Sequence, residues 1–361
     1  MPPLTHLKEG RDGDDHRRTR AFGDGGVDTH LDVHVAAALD ELGALLGTES
    51  FATTPAGYGE LVDWFESFGP LARVGVEGTG SYGAGLARSL LARGVEVVEV
   101  DCPNRKARHR AGKSDTIDAV SAARGALSGH ASGQPKGGTG PVEAIRVLLV
   151  AKRSARSERV RTLNQMRHLV FVAPDDIRAR FHELNVYHLT RQVAAMRPRP
   201  GNQVDYVTLM ALRELGRRAL GLEDEIGRLD DLLEPIVTDH APGLLGVFGA
   251  GIFVAATLAV AAGDRPDRIR NEAAWAHLCG VAPIPASSGK TTGRYRLNRG
   301  GNRQANSALH RIVLVRMGHH EPTRVYLERR RGEGRTNPEI MRSLKRYVAR
   351  ETFKQLPRGD T

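Results

Sequence analysis

Across residues 26–45 apolar and polar positions nearly alternate, most clearly in VDTHLDVHVAAAL, and DELG supplies a turn before another short apolar run. A period of two gives each strand one buried and one open face, so the segment reads as strand, turn and strand within a β-meander. The pattern then changes. Residues 57–68 have helical spacing, 73–76 form a short buried strand, 82–93 a helix, and VEVVEV at 95–100 a strand. Three antiparallel strands followed by alternating helices and strands is the order of an RNase H-like α/β domain, here spanning 23–130. Residues 1–22 mix both charge signs without an apolar stretch, and read as a flexible leader, not a signal peptide.

After Asp101 the basic loop PNRKARHRAGKS leads into a helix predicted to begin near Ser114. GHASGQPKGGTGP then reads as a linker, placed at 131–141, because glycine and proline punctuate it. Two long charged helices follow. The first, 142–172, carries Ile145, Leu148, Leu149, Val160, Leu163 and Leu169; the second, 204–237, carries leucines from Leu209 to Leu233. Such helices pack as an antiparallel pair or coiled coil, which assigns 142–238 to a helical region. The last region, 239–356, is predicted mostly α-helical. Its PGLLGVFGAGIFVAATL has the turn-then-helix shape of a helix-hairpin-helix, and ordinary packing explains it equally well.

Residues 241–263 carry no charge over a length that crosses a bilayer. Pro242 and four glycines break the first part, leaving one buried helix at 252–262, so no membrane partner is expected. Two cysteines, Cys102 and Cys279, build no disulfide framework and suit a reducing compartment. A cytoplasmic, nucleoid-associated location is the expectation.

Charge changes the picture more than composition does. The net charge is +10, yet from residue 265 onward 21 Lys and Arg face 8 Asp and Glu, so the rest is acidic on balance. No acidic residue occurs between 273 and 320, where Lys290, Arg294, Arg296, Arg299 and Arg303 recur among Gly, Ser and Asn. Such a segment is an electrostatic footprint for a phosphate backbone.

The candidate chemistry is acidic and lies elsewhere. Asp28 sits in the first strand, Glu77 ends GVEG, and Asp115 and Asp118 in KSDTIDA lie three apart on one helix face. Four converging carboxylates suit two Mg²⁺ ions, because a hard cation takes oxygen ligands and a metal pair clamps the oxygens of a phosphodiester. Asp32, on the Asp28 face of the predicted strand, and Asp101 compete for a metal position. His30 and His34, four apart on that strand, read as structural histidines. AGKS and SSGKT are not phosphate-binding P-loops, since Ala107 and Ile284 stand where glycine is required. Ser287 and Ser288 lie inside the basic segment, where a serine hydroxyl could attack phosphorus if its charge is neutralised.

Together GVDTHLDVHVAA, GVEGTGSYG, KSDTIDA and CGVAPIPASSGKTTGRYRLNRGGNRQAN resemble the transposases of the IS110 insertion-sequence family. The resemblance implies a RuvC-like N-terminal domain whose DEDD tetrad falls on Asp28, Glu77, Asp115 and Asp118. It places the family's C-terminal serine on Ser288, with the doubled serine leaving Ser287 open. It further implies excision and insertion of a mobile element through a phosphoserine intermediate, Mg²⁺ as cofactor, donor and target DNA as substrates, a bridge noncoding RNA as guide, and assembly as a homodimer or tetramer. A composite site follows, assembled from serine and tetrad.

Replacing Arg294, Arg296, Arg299 and Arg303 by Ala should weaken nucleic-acid binding, each substitution lowering the salt slope by about one unit. Binding titrations at several salt concentrations measure it, and an unchanged slope in the quadruple variant places the binding surface elsewhere.

Overall fold

The computed structural model describes residues 22–100, 114–129, 140–264, 266–285, 295–297 and 300–357. It divides into two compact units, residues 1–138 and 139–361.

The N-terminal unit is built on a five-stranded sheet. Its strands are β1 (Phe22–Thr29), β2 (Val33–Asp40), β3 (Leu45–Ala52), β4 (Arg73–Glu77) and β5 (Glu96–Val100), in the order β3-β2-β1-β4-β5. The first three pair antiparallel, while β4 lies parallel to both β1 and β5. This mixed α/β arrangement is consistent with the RNase H-like reading. The alternating run breaks at residues 30–32, so Asp32 lies in the exposed β1–β2 connection and not on the Asp28 strand face. At the DELG turn, Asp40 Oδ1 accepts from the amides of Leu42 and Ala44 at 3.0 and 2.8 Å, and Gly43 takes the positive φ that the turn requires.

Helix α1 (Pro55–Glu66) starts where Thr54 caps the Gly57 amide and Pro55 opens the first turn. With α2 (Ala84–Ala92) it covers one sheet face, over a core that includes Val27, Phe65, Val74, Val76 and Leu90. Helix α3 (Asp115–Leu127) covers the other face, burying Asp118, Ala119, Ala122, Ala123 and Ala126. Its backbone comes unusually close. A Cβ on Gly26 would lie 2.1 Å from the Ala123 nitrogen, and one on Gly75 would lie 2.4 Å from the Ala122 oxygen. Those two glycines are partners across the β1–β4 ladder, so together they form the bare patch on which α3 rests.

In the C-terminal unit, α4 (Pro141–Phe171) packs against α7 (Gln203–His240), and α5 (Asp175–Phe181) and α6 (Val186–Ala195) join them around Met166, Phe181, Leu189 and Leu212. Lys152 pairs with Asp230 and Arg159 with Glu223. Numbering rises along one helix as it falls along the other, so the pair is antiparallel. The remaining helices are α8 (Pro242–Leu245), α9 (Ile252–Ala262), α10 (Glu272–Leu278), α11 (Arg303–His319), α12 (Glu321–Gly332) and α13 (Asn337–Lys354). A two-stranded hairpin joins β6 (Pro283–Pro285) to β7 (Tyr295–Leu297). Ile145, Leu149, Leu233 and Val237 of the long pair share a core with Leu258, Trp275, Leu309 and Val348. Helix α9 is apolar all round because neighbouring helices cover it, and among the described residues no helix is long and apolar enough to cross a membrane.

Gly26→Ala should cost at least about 2–3 kcal/mol in the N-terminal unit, because backbone, not a flexible side chain, occupies the space of the new methyl. Denaturant unfolding measures this, and a variant as stable as the parent would show that α3 does not rest on the glycine pair.

Candidate metal centre

The register that pairs Val27 with Val76 leaves Asp28 and Glu77 abreast at the ends of two parallel strands. Both belong to the sheet face that α3 covers, since Gly26 and Gly75 precede them by one strand period. The close docking of α3 carries its first turn, with Asp115 and Asp118, over the same spot. First-turn carboxylates also meet the positive end of the helix dipole. Thr29 fixes the strand ends, its hydroxyl donating to the Glu77 carbonyl at 2.8 Å.

The four carboxylates are coupled by charge. Burial pushes the Asp28 carboxyl above its ordinary value; His30 opposes this, while Glu77, Asp118 and Asp115 each raise it further. His30 Nε2 lies 3.1 Å from Asp28 Oδ2 and 3.4 Å from Asp115 Oδ1. Ligand atoms of Asp28, His30 and Asp115 all fall within 4.8 Å of one another. Glu77 Oε2 is buried without a hydrogen-bond partner among the described residues. An orphaned carboxylate oxygen next to a desolvated carboxylate is costly alone, and a hard divalent cation satisfies both. The residues present therefore fit such an ion. His30, Tyr82 and Asp115 open onto a cleft of about 450 Å³ that also touches Asp32.

His30 is the site residue that sequence reasoning placed wrongly. It is not a packing histidine: it stands half-exposed between two carboxylates at the end of β1. A lone histidine just past a strand carries no periodic signal, and only the break at 30–32 would have exposed it. His34 is the structural one, fully buried and stacked on Tyr58. Asp101, Ser287, Ser288, Lys290, Arg294 and Arg299 lie outside the described residues. Arg296 is described only through the backbone of β7, and Arg303 is exposed at the first turn of α11.

Fold and site together define a mixed α/β domain with a carboxylate centre able to hold a divalent cation. Residues 25–172 match the family model of the IS110 DEDD transposase, described as a transposase, and residues 242–328 match the transposase model of the IS116/IS110/IS902 family. The chain belongs to the IS110 transposase family. Over 149 residues it is 28% identical to the insertion element IS900 uncharacterized 42 kDa protein of Mycobacterium paratuberculosis, covering 41% of this chain and 37% of that one. Over 119 residues it is 31% identical to the insertion element IS110 uncharacterized 43.6 kDa protein of Streptomyces coelicolor, covering 33% and 29%. The chain thus spans well under half the length of the curated relatives it matches.

Because the folded Asp28 carboxyl is raised, its penalty is absent below the unfolded value of about 4, grows as pH rises through the raised folded value, and then stays. Asp28→Asn should therefore melt higher than the parent at pH 7 without added metal, with the advantage fading toward pH 4. The same variant should lose the Mn²⁺-induced rise in melting temperature that the parent shows. A parent unaffected by Mn²⁺, or a variant still stabilised by it, contradicts the metal assignment.

Proposed function

We propose that this protein is a DNA transposase that excises and inserts an insertion sequence, using Mg²⁺ held by Asp28, Glu77, Asp115 and Asp118. The observation that supports the reading is the cluster of Asp28, His30 and Asp115, with ligand atoms within 4.8 Å of one another and with Glu77 and Asp118 acting on Asp28 through their charge. Bound there, Mg²⁺ would supply Lewis-acid neutralisation of charge on a phosphodiester. The chain's own groups do the rest. His30 Nε2 hydrogen-bonds Asp28 and lies 3.4 Å from Asp115 Oδ1, so it holds the two carboxylates about one ring. The orphaned Glu77 oxygen keeps the centre dependent on a cation.

In this reading Ser288 is the nucleophile. Its hydroxyl oxygen gives up its proton and bonds to phosphorus, the bond from phosphorus to the leaving 3′ oxygen breaks, and that oxygen takes up a proton in turn. The strand is then rejoined when a 3′ hydroxyl displaces the serine. Family membership and the acid-free basic segment support the assignment. In the same reading donor and target DNA are the substrates, which family membership supports, a bridge noncoding RNA is the guide, and a homodimer or tetramer is the working assembly. The phosphate contacts are assigned to Lys290, Arg294, Arg296, Arg299 and Arg303.

Labelled element-end DNA, incubated with Mg²⁺ and the guide RNA and run on denaturing gels, tests this. The parent should form a protein–DNA adduct. Ser288→Ala should lose it, Asp118→Asn should lower it by at least about a hundredfold, and Ser287→Ala should change little. Cleavage with free ends and no adduct would instead support a metal-activated water nuclease. An adduct that survives Ser288→Ala and vanishes in Ser287→Ala moves the nucleophile one residue upstream.

A further inference from the structure

The C-terminal unit holds a second concentration of charge, in which Arg311 from the end of the acid-free segment meets cations of α4. Phe253 of α9 is surrounded by cations from two neighbouring helices. The guanidinium carbons of Arg153, Arg156 and Arg311 lie 5.9, 5.1 and 5.2 Å from its ring centroid, and the Lys152 amine lies at 5.3 Å. An aromatic face attracts one cation; four around one ring repel each other. Two of the local cations have carboxylate partners outside this group, Lys152 on Asp230 and Arg159 on Glu223. Among the described residues no carboxylate forms an ion pair with Arg153, Arg156 or Arg311.

These three arginines line a cavity of about 380 Å³ together with Ser157, Ser307 and Phe253, and no acidic side chain faces it. Among the described residues the Arg153 Nε is buried without a hydrogen-bond partner, although another nitrogen of the same group donates to the buried Thr257 hydroxyl at 3.3 Å. Burial pulls Arg153 and Arg156 below the ordinary guanidinium value, and Arg311 lowers Arg156 further. A surface arginine cluster that only solubilises has its donors in water. Here a donor has been taken out of water with no acceptor among the described residues, and an anion seated in the cavity would supply one.

We propose that the Phe253 cavity is a phosphate-binding pocket that seats a backbone phosphodiester of a nucleic acid. Arg153, Arg156 and Arg311 supply the converging guanidinium donors, Ser157 and Ser307 supply hydroxyls at the rim, and Phe253 is the floor that spaces the arginines. Planar guanidinium forks match phosphate oxygens in pairs, which a lysine cluster does not do. One seated phosphate fixes the register of a strand along α4 and α11 without reading its bases. The pocket rests on the reading that this protein handles nucleic acid, and it joins Arg153, Arg156, Ser157 and Phe253, which belong to neither the carboxylate centre nor the basic segment, to Ser307 and Arg311 at that segment's C-terminal end.

The test uses the full chain with a fluorescein-labelled 20-nucleotide single-stranded RNA in one arm and a 20-base-pair duplex DNA in the other, titrated by anisotropy at several salt concentrations. Arg156→Gln and Arg311→Gln are the main variants, since both side chains are exposed enough to change without unfolding the core. Arg218→Gln, an exposed site on α7, removes the same charge away from the pocket. Each pocket variant should lower affinity roughly three- to tenfold and the salt slope by about one unit in the arm whose backbone occupies the pocket, with Arg218→Gln unchanged. The arm that responds identifies RNA or DNA as the source of the phosphate. Unchanged affinity and slope in both pocket variants, or an equal loss in Arg218→Gln, overturns the pocket while leaving the transposase reading intact. A parent that binds neither probe overturns both.

Discussion

Two glycines facing each other across parallel strands, Gly26 and Gly75, let a helix lie with its backbone against a β-sheet. Everything acidic at the candidate centre depends on that approach. Asp28 and Glu77 follow the glycines by one strand period, so they share the face that α3 covers. Asp118 lies one turn before Ala122, and Asp115 one turn further toward the helix start. With alanines instead of glycines, α3 would stand off the sheet, and the first-turn carboxylates would rise away from the strand ends. The alanine-rich underside of the helix, Ala119, Ala122, Ala123 and Ala126, is the matching half of the same device.

Such a centre is held at an electrostatic cost. Burial and three neighbouring carboxylates disfavour the ionised Asp28, and only His30 opposes them among its named neighbours. A buried carboxylate oxygen of Glu77 has no donor among the described residues. Folding energy from the surrounding core, Val27, Phe65, Leu61 and their neighbours, maintains a site that a divalent cation relaxes. The C-terminal unit shows the opposite sign of the same strategy. Three arginines around Phe253 wait without carboxylates, while nearby Lys152 and Arg159 are neutralised by acids on α7. Both sites leave charge of one sign unbalanced within packed elements, which is the common ground of the two proposals.

Much of this was legible in the sequence, for identifiable reasons. Strand alternation and buried valines located β1 to β5, and the long leucine-bearing helices stood out by length. The carboxylates were visible because acids at strand ends and a helix start interrupt apolar runs. The break at 30–32 was hidden, since the polar residues there continue the alternation of the flanking strands. That concealment also misplaced Asp32 and hid His30. The Phe253 cluster left no trace in the pattern: its arginines occupy ordinary polar positions on α4 and α11, and only tertiary packing brings them to one ring. The glycine pair was equally silent, because a glycine in a strand reads the same whether it meets water or a helix backbone.

The central claim is that α3 and the sheet assemble one cation site from Asp28, Glu77, Asp115 and Asp118. Crystals grown or soaked with Mn²⁺, with diffraction recorded for anomalous scattering from manganese, test it most directly. The expected result is strong anomalous density among these four carboxylates, within about 2.0–2.4 Å of their oxygens, with Glu77 Oε2 among the ligands. Manganese bound elsewhere, or this cluster empty at saturating Mn²⁺ with Asp115 and Asp118 turned away from Asp28, would contradict the account.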